Sequence, residues 1–157
     1  MENKIPKENF VPMQISSINF ADRTIELGNS CYWTFLNTVQ CPYFGEMNWS
    51  IHKTLDDAKE SVKNQFNITK SRKMGKVISE EMVDVEFEGV ETKAKKAVFE
   101  INAVASTLAG GKSLTIYYVA ENIRGENVSC VMSFWNNDQI NPQTKLPPLL
   151  EKLMKLK

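Results

Sequence analysis

Histidine is almost missing from this sequence of 157 residues, with His52 the single example. One imidazole excludes any multi-histidine metal site, and every Ser–His or Cys–His nucleophilic pair would have to be built on that residue. His52 stands where a strand meets a helix, close to Asp56, a setting in which a lone His–carboxylate contact is structural. Net charge is also missing. The 19 basic and 19 acidic side chains cancel, so no long-range attraction to nucleic acid or to an anionic membrane surface is built into the total. No apolar run approaches the roughly 18 residues of a membrane span, and the first residues lack the apolar core of a signal peptide. Gly110-Gly111 lacks the spacing of a dinucleotide fingerprint, and no P-loop lysine motif occurs. Cysteine is sparse. Cys31, Cys41 and Cys130 fit no metal-binding spacing, which leaves either buried or free thiols or a Cys31–Cys41 disulfide. The disulfide would require an oxidising compartment, consistent with a secretory or lipoprotein leader removed from the chain.

What is present is a core. A hydrophobic content of 42% over this length fits one domain. Residues 1–12, with charge, two prolines and no periodicity, are expected to be a flexible lead, and residues 13–157 a single α+β domain. The organising stretch runs from Ala97 to Trp135. Phe99 and Ile101 alternate with Glu100 and Asn102; Leu114, Ile116 and Tyr118 resume the alternation after Gly110-Gly111; Val128, Cys130, Met132 and Phe134 repeat it after the turn signal Arg124-Gly125-Glu126-Asn127. Val131, Trp135, Tyr117 and Val119 make the remaining face mixed, so a covering layer of helix is expected.

Short strands are expected before this meander, around Met13–Phe20, Thr24–Leu27, Cys31–Val39 and Trp49–Lys53. Thr54 then caps a helix, with Asp56 and Asp57 in its first turn and Leu55, Ala58, Val62 and Phe66 as its apolar stripe. In the following acidic stretch Val83, Val85 and Phe87 point inward and Asp84, Glu86 and Glu88 outward. A turn near Gly89 brings Lys93, Lys95 and Lys96 back alongside, so cross-strand pairing accounts for the charge pattern, and the acidic row also guards a sheet edge. At the end, Leu146, Leu149, Leu150, Leu153 and Leu156 read as the stripe of a C-terminal helix packed on the sheet, with Pro147-Pro148 in its first turn.

The order of elements resembles the PsbP-like α+β fold, through the helix Leu55–Phe66, the meander Val83–Trp135 and the ending Asn141–Leu150. That group includes photosystem extrinsic subunits, a Ran-binding import factor and small bacterial envelope lipoproteins. The resemblance implies a non-catalytic, protein-binding accessory or adaptor domain, on the periplasmic side of the bacterial envelope if a leader was removed and cytoplasmic otherwise. It transfers no functional residues. The sequence implies no cofactor and no metal. Tyr43, Phe44 and Trp49, beside Pro42 and Gly45, are the candidate contact residues, with core packing as the competing reading. Two alternatives remain. One is a small-ligand carrier or weak hydrolase whose pocket, between sheet and helix, joins His52 to Cys41 or a carboxylate. The other is a toxin-neutralising immunity protein docking through its acidic strand at Glu86 and Glu88.

Overall fold

The computed structural model of the chain describes residues 13–34, 37–41, 45–71, 75–101, 113–136 and 146–157. Among the described residues there are nine strands: β1 (Met13–Phe20), β2 (Arg23–Trp33), β3 (Thr38–Cys41), β4 (Gly45–His52), β5 (Gly75–Phe87), β6 (Val90–Ile101), β7 (Ser113–Ile123), β8 (Glu126–Asn136) and β9 (Met154–Leu156). They form one sheet in the order β1-β2-β3-β4-β8-β7-β6-β5-β9, antiparallel at every pairing. Two helices accompany it, α1 (Leu55–Ser71) and α2 (Pro148–Glu151). The expected α+β class is therefore corrected to a predominantly antiparallel β architecture. Helix α1 carries the chain from β4 to the far side of the sheet, and two hairpins return it to β8 beside β4.

Both faces of the central strands are covered, as the mixed pattern suggested. The register pairs Tyr117 with Met132 and Val119 with Cys130, which puts these four on one face and Ile116, Tyr118, Val131 and Trp135 on the other. Helix α1 covers the second face. Its Phe66, with Val62 beside it, packs on Ala97, Phe99, Ile116 and Tyr118. The cap forms as the sequence suggests, with the Asp57 N–H donating to Thr54 Oγ1 at 3.0 Å.

The first face is enclosed by the sheet itself. Phe20 of β1 and Phe87 of β5 stand far apart in the strand order, yet their ring centroids lie 6.0 Å apart. Bulges between Ile15 and Ser17 and between Val77 and Ser79 add to the twist that brings the ends round. Phe20, Val39, Met47, Val85, Phe87, Met132 and their neighbours fill the interior.

The C-terminal helix is the second correction. Leu146, Leu149, Leu150 and Leu153 are buried at the three- and four-residue steps of the stripe, but α2 lasts one turn. The chain then extends, and β9 pairs with Val85, Glu86 and Phe87 of β5. An added helical turn would satisfy only its own backbone, whereas an added strand also satisfies the edge of β5. Met154 is buried in this arrangement, while Lys155 and Leu156 remain exposed.

Three hairpins turn on two residues with positive φ: Ala21-Asp22 (44° and 64°), Glu88-Gly89 (49° and 84°) and Arg124-Gly125 (50° and 87°). Two consecutive residues of this kind twist with the flanking strands, which is why such short connections hold.

Candidate functional site

The expected contact residues separate. Trp49 is only 6% exposed and sits edge-on to Phe20 at 5.6 Å and to Trp33 at 5.7 Å, so its ring belongs to the interior cluster. Tyr43 and Phe44 lie outside the described residues. Core packing accounts for Trp49, and its side chain offers no contact surface.

The residues of the hydrolase alternative also separate. Cys31 and Cys41, level with each other across β2 and β3, form a disulfide with a Cα–Cα distance of 4.2 Å. Cys41 is thereby removed as a nucleophile. His52 instead shares a 2.8 Å hydrogen bond with Ser129 Oγ, one strand away on β8. Ser129 is 1% exposed and His52 half-buried, so the bond ties β4 to β8. Cys130 is a buried free thiol, pushed well above the ordinary thiol range first by burial and then by the charge of Glu88. Among the described residues no group of three or more His, Cys, Asp or Glu side chains could hold a metal ion.

The strongest electrostatic feature is one the sequence reading missed. Glu88, expected to point outward, has a side chain only 4% exposed. Its carboxylate accepts from Arg23 Nε at 3.0 Å, from Arg23 Nη2 at 2.6 Å and from Arg124 Nη2 at 3.1 Å. Arg124 also donates to the carbonyls of Phe20 and Ala21, and Arg23 to that of Lys152. These bonds join the three hairpin tips and the C-terminal segment. The clasp is structural, because the paired arginines spend their bonds on the protein itself. A single-strand alternation pattern could not reveal it, since Glu88 is the first turn residue and its partners lie in distant parts of the chain.

The acidic strand behaves largely as its pattern suggests. Lys93 pairs with Asp84 at 2.8 Å, and the hydrogen bond from that lysine, followed by its charge, holds the Asp84 carboxyl below the usual range. Glu80 lies 3.7 Å from both Lys70 of α1 and Lys95 of β6. Lys95 also sits over the Phe66 ring at 3.7 Å. Two apolar side chains of this strand stay in water, Ile78 at 54% and Met82 at 58% exposure. They stand on the part of β5 that β9 does not reach.

In comparisons with protein-family models, with curated proteins and with solved structures, nothing matches this chain.

Proposed function

We propose that this chain is a non-catalytic, protein-binding accessory domain whose contact surface is the outer part of β5. The observation that supports it is the pair of exposed apolar side chains, Ile78 and Met82, on a strand that pairs with β6 on one side and, among the described residues, has no neighbour along much of the other. Trp49 is buried in the aromatic cluster, and Tyr43 and Phe44 lie outside the described residues, so the loop they belong to lends this surface no support. The Cys31–Cys41 disulfide favours an oxidising setting such as the bacterial envelope, because such bonds are rare in reducing compartments. Of the three parts that carry the PsbP-like resemblance, the ending forms one helical turn followed by a strand.

The toxin-neutralising alternative draws on the same strand. It keeps Glu86 as a contact but loses Glu88, whose carboxylate is taken up by Arg23 and Arg124.

The test is affinity capture from lysate of the source organism, with the intact chain and an Ile78→Lys, Met82→Lys variant side by side. A saturable partner that is held by the parent and lost by the folded variant is the expected result. A partner held equally by both would remove β5 as the surface, and a turnover abolished by His52→Ala would overturn the non-catalytic reading.

A further inference from the structure

How a partner would engage β5 follows from its hydrogen bonding, its apolar side chains and its charge. Along one side β6 pairs with the strand from Gly75 to Phe87. Along the other, β9 takes only Val85, Glu86 and Phe87, and the Lys157 N–H donates to the Asp84 carbonyl. From Gly75 to Val83 no strand among the described residues lies on that side. At ~3.3 Å per residue this side of β5 runs about 30 Å with no strand beside it among the described residues, its main-chain donors and acceptors turned outward.

Open edges are ordinarily blunted by proline, by lysine, by cover or by the absence of anything apolar. The opposite edge of this sheet follows that rule: from Gln14 to Phe20 the exposed side chains of β1 are Gln14, Ser16, Ser17 and Asn19, all polar. Strand β5 follows it only at its start, where Lys76 is exposed and a bulge lies between Val77 and Ser79. Past the bulge between Val77 and Ser79 it runs on regularly to Phe87, it carries no proline, and Ile78 and Met82 are both more than half exposed.

Charge then selects the occupant. Glu80 is shared between Lys70 and Lys95, while Glu81 is exposed and makes no ion pair among the described residues. A second copy of this chain is a poor fit. The antiparallel register that lays Ile78 of one copy on Met82 of the other also sets Glu80 against Glu80, and like charges directly opposite destabilise a sheet. By alternation Glu80 and Met82 share one face, and Glu81 lies on the other. An added strand would therefore meet Met82 with an apolar residue on one face and Glu81 with a cation on the other.

Resting on the reading of β5 as a protein-contact surface, we propose that this edge takes up an extended strand of a partner protein in which apolar residues alternate with lysine or arginine. Main-chain pairing supplies the contact, and the alternation supplies the selectivity.

The experiment is an NMR titration of the isotopically labelled intact chain with two peptides of about eight residues. One alternates valine with lysine and the other valine with glutamate. Amide shifts concentrated between Lys76 and Val83 with the lysine peptide are expected, with about tenfold weaker binding of the glutamate peptide. The preference should be lost in Glu81→Lys, whose exposed position makes it a variant that keeps its fold, as circular dichroism would check. Equal binding of the two peptides, shifts away from β5, or edge-mediated dimerisation of the parent in sedimentation would each overturn the proposal. If the Ile78→Lys, Met82→Lys variant loses its captured partner while the peptides leave β5 unmoved, strand addition fails and the protein-binding reading stands. If neither partner nor peptide engages the chain, both fail.

Discussion

Glu46 is the second residue of β4, paired in register with Gln40 on one side and Ser133 on the other, and burial raises its carboxyl above the ordinary value of 4.5. The folded chain therefore holds this proton at a pH where the unfolded chain has released it. Stability contributed by the neutral form is present at low pH and declines as pH rises from about 4.5 through the folded value. Replacing Glu46 with Gln removes the cost of burying the charge. We expect the variant to be more stable than the parent at pH 7 and indistinguishable from it near pH 4, measured by urea unfolding. An equal gain at both pH values would assign the effect to packing instead. At this scale the sequence was legible where partners are close: the Thr54 cap and the Asp84–Lys93 pair follow from neighbouring or hairpin-opposed residues. Glu88 and Arg23 stand 65 residues apart, and no local pattern links them.

At the level of elements, the C-terminal segment shows how a true pattern led to a wrong shape. Leu146, Leu149, Leu150 and Leu153 of the expected stripe are buried and Leu156 is exposed, and the burial is achieved by a single helical turn followed by a strand. What decides between this and a longer helix is the open edge of β5, distant in sequence. The segment also imposes a demand on β4. Gly45 has φ +115°, and a Cβ built there would stand 2.7 Å from Leu150 Cδ1 and 3.3 Å from Pro147 Cγ. Gly45→Ala combines backbone strain with a collision against α2. A loss of about 1–3 kcal/mol in denaturant unfolding is expected. A further Leu150→Ala change should recover part of the collision cost and none of the strain, making the double variant less destabilised than the sum of the single changes. The long helix and the hairpins at Gly89 and Gly125 were legible because each is fixed within one local window.

On the scale of the whole molecule, the question is what keeps a nine-stranded sheet curled. The interior cluster supplies the bulk of the burial, and the Arg23–Glu88–Arg124 clasp fixes the hairpin tips against one another. Glu88→Gln would leave two guanidinium groups without their counter-charge. Both are partly solvated, at 40% and 33% side-chain exposure, so the loss should fall short of that for a fully buried pair. We expect about 2 kcal/mol, read as a lower denaturation midpoint at unchanged slope. The curl was not legible in the sequence, because strand patterns specify faces and not which strands meet when a sheet bends round.

The same clasp has a consequence in time. Its bonds join residues 65, 103 and 129 positions apart, whereas each hairpin it gathers closes over two residues. Local closures cost little chain entropy and form early; long ones wait until the rest of the chain has brought their ends together. Interactions made after the rate-limiting step leave the rate of folding almost untouched and act on the rate of escape. The arginine–glutamate cluster is then a latch, governing how long the folded chain lasts rather than how quickly it is reached.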